Sequence, residues 1–249
     1  MILELDVGNS RIKWRLVTAD ESALLAQGHV SGFAELRHLP ELDAVIEMVR
    51  MCSVRGGSIN KKIEEWIRGD YGIDLIRADV TRSGGGVTNQ YADVSRLGID
   101  RWLAMIAGYN RTGAACMVID SGTAFTIDVV DANGLHQGGY ILPGLALMQS
   151  SLESNTAIRL SDSYTEYSEK LGHSTDEAVF NGTVTALLAM IKQQGELLGE
   201  GGGRIFFAGG DAELLHGLAK LERSEIATSL VFEGLGIACP CANKKRVRV

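Results

Sequence analysis

The residues predict an α/β chain of two homologous lobes, and three observations support this. Short apolar strands alternate along the length with apolar stripes at helical spacing. A strand–turn–strand unit carrying Asp-x-Gly occurs twice, as Asp6-x-Gly8-Asn9 and Asp120-x-Gly122-Thr123, 114 residues apart. Duplication explains a spacing of nearly half the chain better than coincidence does. The chain also holds 30 glycines in 249 residues without a period of three. That exceeds the usual share of about 7% and asks for turns with special backbone geometry rather than for collagen.

The elements follow in order. Residues 2–5 and 11–17 read as strands around Asp6-Val7-Gly8-Asn9-Ser10, with Ile12, Trp14 and Leu16 on one face and Arg11, Lys13 and Arg15 on the other. A strand is expected over 24–30, a helical piece from Pro40, a buried strand over 48–54, a helix over 60–68 and a strand over 73–77. Residues 81–89, with Gly84, Gly85 and Gly86, read as a loop. A helix over 99–109 follows from the spacing of Trp102, Met105, Ile106 and Tyr109, which makes Trp102 a packing residue. The turn at 110–114 sets the expected lobes at 1–112 and 113–249. Strands then follow at 115–119 and 124–130, and a short strand leads to Pro143, which opens a helix over 144–155 as its first residue. Ser174 and Glu177 form a capping box for a helix over 175–198. A strand over 204–208 leads into Gly209, Gly210 and Asp211 and a short helix.

Composition narrows the function classes. Hydrophobic residues make up 45%, enough for a core, so disorder is excluded. A formal net charge of -7 argues against a duplex nucleic-acid binder, which needs a basic face. No apolar run reaches the ~18 residues of a membrane span. Glu4 and Asp6 interrupt the N-terminal apolar stretch, so no signal peptide is expected and the location is cytoplasmic. The cysteines Cys52, Cys116, Cys239 and Cys241 read as free thiols, because Cys-Pro-Cys is too tight for a zinc knuckle. The basic tail 244–249 reads as a solvated end. The five histidines fall in unrelated segments and none is assigned to catalysis.

The repeated turns suit a nucleotide phosphate. A glycine there lets backbone N–H groups approach an anion, and a carboxylate at the strand end can hold Mg²⁺ through water. Asp6 and Asp120 are the candidates, with turn carboxylate as the alternative. Lys13 on the second strand is a candidate point charge for a β- or γ-phosphate, or a solvated edge lysine. Neither turn is a P-loop or a dinucleotide fingerprint, since a strand and not a helix follows each.

The segments D-V-G-N-S-R-I-K-W (6–14), L-G-I-D-R-W (97–102), D-S-G-T-A-F-T-I-D (120–128), G-G-Y-I-L-P-G (138–144) and A-G-G-D (208–211) resemble, in order, those of type III pantothenate kinases. That family belongs to the acetate and sugar kinase, heat-shock chaperone and actin (ASKHA) superfamily. The resemblance implies two duplicated ribonuclease-H-like lobes around an ATP cleft, an actin-like ATPase fold. It implies transfer of the ATP γ-phosphoryl to the primary hydroxyl of pantothenate in a homodimer that needs Mg²⁺ and a monovalent cation, K⁺ or NH₄⁺. By the same resemblance Asp6, Gly8, Asn9, Ser10 and Lys13 belong to the first phosphate motif, with Ser10 where threonine is frequent. Gly122 and Thr123 belong to the second, with Asp120 on its Mg²⁺ side. Asp100 matches the general base. Tyr91, Gly98, Arg101 and Thr183 match the pantothenate pocket, Gly209 and Gly210 the nucleotide side, and Asp128 the monovalent-cation ligand. The residues alone leave Asp100 open as a helix cap instead. Two other readings stand beside this one, another ASKHA small-molecule kinase and a non-enzymatic ATP-binding regulator.

Overall fold

A computed structural model describes the whole chain except residues 43–44, 162–165, 197, 199–202 and 242–249. The basic tail and most of the 201–203 glycine run therefore lie outside the described residues. The chain forms two compact units, Met1–Ala107 with the segment from Ser229 onward, and Gly108–Thr228. This differs from the expected cut after Thr112 in two respects. The division falls inside the helix over Ile99–Thr112, and the segment from Ser229 groups with the first unit.

The first unit is built on a five-stranded sheet of β1 (Ile2–Val7), β2 (Ile12–Val17), β3 (Leu24–Val30), β4 (Met48–Ser53) and β5 (Leu75–Arg77), in the order β3-β2-β1-β4-β5. β1 is antiparallel to β2 and parallel to β4. Helix α1 (Phe33–Leu36) is a single turn, and α2 (Gly57–Tyr71) buries Ile63, Trp66 and Ile67. These pack with Leu3, Leu5, Ile12 and Trp14 in the core of the unit. A left-handed Gly72 ends α2, donating its N–H to the Arg68 carbonyl.

The segment 81–89, expected as a loop, is a small hairpin of β6 (Ser83–Gly84) and β7 (Val87–Thr88). Gly85 and Gly86 have φ of +55° and +80°, which is what a two-residue hairpin turn of the primed type requires. Helix α3 (Ile99–Thr112) follows, with Trp102 buried in the core as expected.

The second unit repeats the plan. β8 (Cys116–Ser121), β9 (Ala124–Val130), β10 (His136–Pro143), β11 (Arg204–Gly209) and β12 (Ser224–Ile226) form a sheet in the order β10-β9-β8-β11-β12. Strand directions match the first sheet, with β8 antiparallel to β9 and parallel to β11. Helices α4 (Leu145–Asn155), α5 (Thr175–Glu196) and α6 (Ala212–Ala219) complete it. The core joins Phe125, Ile127, Val184, Leu187, Phe207 and Leu215.

Pro143 does not open α4. It is the last paired residue of β10, opposite Ala124, and Gly144 is the N-cap. Ser174 caps α5 through its Oγ, which accepts the Glu177 N–H at 3.1 Å, but the Glu177 carboxylate reaches back to the His173 N–H rather than to that of Ser174. Helix α7 (Leu230–Ala238) closes the first unit by packing on β1 and β4. No helix among the described residues is long and apolar enough to cross a membrane.

Candidate active site

Asp6 and Asp120 occupy matched places near the ends of the two central strands. Asp6 lies opposite Lys13 on β2 and Cys52 on β4, and Asp120 lies opposite Thr126 on β9 and Ala208 on β11. Lys13 thus has no cationic counterpart in the second unit. The turns also differ in length. Seven positions separate Asp6 from its partner, and six separate Asp120 from its own. In the first turn the Gly8 N–H donates to the Arg11 carbonyl at 3.1 Å, leaving Asn9 and Ser10 exposed at the tip.

The Asp6 carboxylate is buried at 8% exposure, with Lys13 Nζ 3.8 Å from Oδ2 and the Cys52 thiol 3.5 Å from Oδ1. Burial raises the Asp6 pKa above its ordinary value, and the charge on Asp100 adds to this. Lys13 and the Cys52 thiol offset part of the rise. Cys52 is itself pushed well above the usual thiol range by burial, then by the charge on Asp6. Asp6 is thus a buried carboxylate with a like charge nearby, a place where a hydrated cation would relieve repulsion.

Asp100 stands in the first turn of α3, where its Oδ1 accepts the Arg101 backbone N–H at 2.8 Å. Asp100 is thus not the N-cap, since α3 begins at Ile99, but one oxygen of its carboxylate satisfies a free first-turn N–H. Gly98 makes room for it, since a Cβ at 98 would come 2.6 Å from Asp100 Oδ1. The buried Arg101 donates from NH1 to Tyr91 Oη at 3.1 Å, so two of the residues matched to the pantothenate pocket meet.

In the second unit, glycines let three segments converge. The Gly144 N–H donates to the Thr123 carbonyl at 3.0 Å, and a Cβ at 144 would fall 2.0 Å from the Gly122 carbonyl oxygen. Gly209 has φ of +91°, and a Cβ there would lie 2.2 Å from the Ser121 carbonyl oxygen and 2.6 Å from Asp120 Oδ1. Asp211 fastens the Gly209–Gly210 corner to β8. Its N–H donates to the Ser121 carbonyl at 3.1 Å, and its Oδ2 accepts the Ser121 hydroxyl at 3.0 Å. Asp211 was not among the expected site residues, although its place in A-G-G-D pointed to it.

Two expected residues are engaged within the second unit. Asp128 is 2% exposed, and its Oδ1 lies 3.0 Å from Nε2 of the fully buried His136. That oxygen is therefore engaged by His136 inside the second sheet. Among the described residues no three His, Cys, Asp or Glu side chains gather to hold a metal ion. Thr183 on α5 donates its hydroxyl to the Val179 and Phe180 carbonyls of its own helix, each at 2.9 Å.

A duplicated ribonuclease-H-like lobe, with Asp-Gly turns at equivalent strand ends and a carboxylate beside a guanidinium at a helix start, defines a phosphotransferase of the ASKHA class. The family model of type III pantothenate kinases matches residues 2–196. The type III pantothenate kinase of Pseudomonas fluorescens (strain Pf0-1) is 41% identical over 96% of this chain and 99% of its own. Those of Pseudomonas syringae pv. syringae (strain B728a) and Azotobacter vinelandii (strain DJ) are 41% and 40% identical over the same shares. The chain belongs to the type III pantothenate kinase family, and its activity is the ATP-dependent phosphorylation of pantothenate. Among solved structures, a Campylobacter jejuni protein described as a Baf family transcriptional activator aligns with a TM-score of 0.60 at 21% identity over 94% of each chain. The ethanolamine utilization protein EutJ of Carboxydothermus hydrogenoformans aligns at 0.51 and 13%, over 95% of this chain and 88% of its own. These two likenesses show the fold alone.

Proposed function

We propose that Asp100 is the group that takes the proton from the primary hydroxyl of pantothenate. The observation that carries this is the fixed geometry of its carboxylate. Oδ1 is tied to the Arg101 N–H, within electrostatic reach of the phosphate-side Asp6. Oδ2 then accepts the hydroxyl proton as the new O–P bond forms and the γ-phosphoryl leaves ADP. Because phosphoryl transfer asks mainly for alignment and charge neutralisation, a positioned acceptor suffices. Arg101, steadied by the Tyr91 phenol, receives the pantothenate carboxylate in its planar fork. Lys13 supplies a point charge to the β- and γ-phosphates, and the Gly8, Gly122 and Gly209 turns bring backbone close to them.

Asp6 and Asp120 would hold Mg²⁺, which when bound neutralises phosphate charge. The family resemblance also brings a monovalent cation, with Asp128 as its matched ligand, and a homodimer into this reading, and the interrupted N-terminal apolar stretch brings a cytoplasmic location. Thr183 stays as a pocket residue whose hydroxyl accepts from the substrate while donating to its helix. The test is Asp100→Asn, assayed for phosphopantothenate formation with ATP binding measured separately. A fall of about 10²–10⁴ in kcat with ATP binding retained is expected. Full turnover by the variant rules out the assignment. A screen of pantothenate against hexoses and acetate separates this reading from another small-molecule kinase.

A further inference from the structure

Tyr91 lies in the stretch 89–93, which belongs to no helix or strand. Irregular backbone of this kind has no ladder to satisfy its carbonyls. Here a single side chain takes three of them. Arg82 NH1 donates to the carbonyls of Asn89 at 2.7 Å and Tyr91 at 2.8 Å, and NH2 donates to that of Ala92 at 3.3 Å. Arg82 stands at the foot of the β6–β7 hairpin, and the Asn89 N–H donates to its carbonyl at 2.8 Å. The exit of the hairpin is thus held through both backbone and side chain of the same residue.

The hairpin is itself seated. Val87 is buried, and a Cβ at Gly84 would lie 3.3 Å from the Trp102 ring on α3, the helix that carries Asp100 and Arg101. The fully buried Asn89 adds a further hold, since its Oδ1 accepts the Tyr91 N–H at 2.9 Å. Tyr91 is therefore fixed at its N–H by Asn89 and at its carbonyl by Arg82, while its phenol meets Arg101.

We infer that Arg82 is a positioning residue for pantothenate binding, acting through Tyr91. The role needs arginine in particular. A planar guanidinium spreads its donors over several acceptors, whereas a lysine ammonium is a compact point on a flexible stem. The inference rests on the reading of Tyr91 and Arg101 as the pantothenate pocket. It goes beyond that reading by placing the pocket's order in a side chain that touches no substrate.

The experiment measures kcat and the KM for each substrate in full-length Arg82→Ala, Arg82→Lys, Tyr91→Ala and the Arg82→Ala/Tyr91→Ala double variant. Arg82→Ala is expected to raise the KM for pantothenate roughly tenfold, the scale of one lost charge-assisted contact, with kcat and the KM for ATP within about twofold. Arg82→Lys restores part of the loss. The double variant is no worse than Tyr91→Ala alone, because Arg82 acts through Tyr91. If Tyr91→Ala raises the KM for pantothenate and Arg82→Ala does not, or shifts both KM values alike, the role of Arg82 is overturned while the pocket stands. If Tyr91→Ala itself leaves that KM unchanged, the pocket reading fails first. Should the alanine variant not fold, Arg82→Lys decides by the same split between substrates.

Discussion

Asp6 is held in a state that favours function over stability. Burial is the largest influence on it and disfavours its charged form, and Lys13 only partly compensates. A carboxyl whose pKa is raised on folding contributes nothing unfavourable at low pH, where it is protonated in both states. Its cost appears as pH rises from the ordinary value of 3.8 through the raised one, and is complete above that. Asp6→Asn is therefore expected to raise the unfolding midpoint of the ligand-free protein at neutral pH. The gap to wild type should close on acidification below the ordinary carboxylate range. The same variant should lose about 100-fold or more in kcat, the scale of one preorganised electrostatic group. Thermal melts at several pH values with parallel rate assays check both; a variant less stable than wild type at neutral pH contradicts the burial argument. Asp6 and Lys13 stand out in the sequence as candidates because they flank a repeated turn, whereas Asp100 comes forward only through the resemblance of L-G-I-D-R-W, its residues alone leaving a helix cap open. Cys52 was not legible, because it meets Asp6 only through the parallel register of β1 and β4, 46 residues apart in sequence.

At the scale of elements, the Gly209–Gly210 corner at the end of β11 uses its two glycines differently. Gly209 is required by the fold, since its φ of +91° and the approach of the Ser121 carbonyl leave no place for a Cβ. Gly210 has nothing within 4 Å of such a Cβ. Gly209→Ala is thus expected to destabilise the protein by about 1–3 kcal/mol or more, as overpacking and a left-handed backbone do. Gly210→Ala should melt like wild type, so any rise in its KM for ATP reports crowding of the nucleotide itself. Equal stability losses in both would refute the distinction. Most strands and long helices were legible from periodicity, and the Asp-Gly echo located both central strands. The errors have common physical causes. Pro143 sits at the end of a strand that needs no donor from it, so its helix-start preference was never used. The glycines at 84–86 read as a loop by composition, but Gly85 and Gly86 supply the positive φ of a tight hairpin turn.

At the scale of the molecule, the first unit is closed by a segment that the chain delivers last. Arg50 on β4 is fully buried and donates from Nε to Glu4 at 2.7 Å, from NH2 to Glu21 at 3.0 Å, and from NH1 to the Cys239 carbonyl just past α7 at 2.9 Å. Arg15 also pairs with Glu4 and lies 5.0 Å over the Phe232 ring of α7. The sequence could not reveal this layer. Arg15 reads as a charge on the face opposite Ile12, Trp14 and Leu16, and only the register of three strands and the return of α7 show that this face is covered. Removing one member of such a group leaves buried charge uncompensated, at about 3–5 kcal/mol. Arg50→Met is expected to lose that much stability, and the loss should appear first at α7. Cys239, 8% exposed and with a thiol raised by burial, reports on that helix. Its labelling by a thiol reagent, followed by peptide mass spectrometry, should accelerate about tenfold or more in Arg50→Met, as local opening becomes easier. Replacing Glu4 by Gln as well should recover part of the stability, because the stranded carboxylate is then gone. If stability falls while Cys239 stays as protected as in wild type, Arg50 braces the sheet alone and α7 is held by its apolar face.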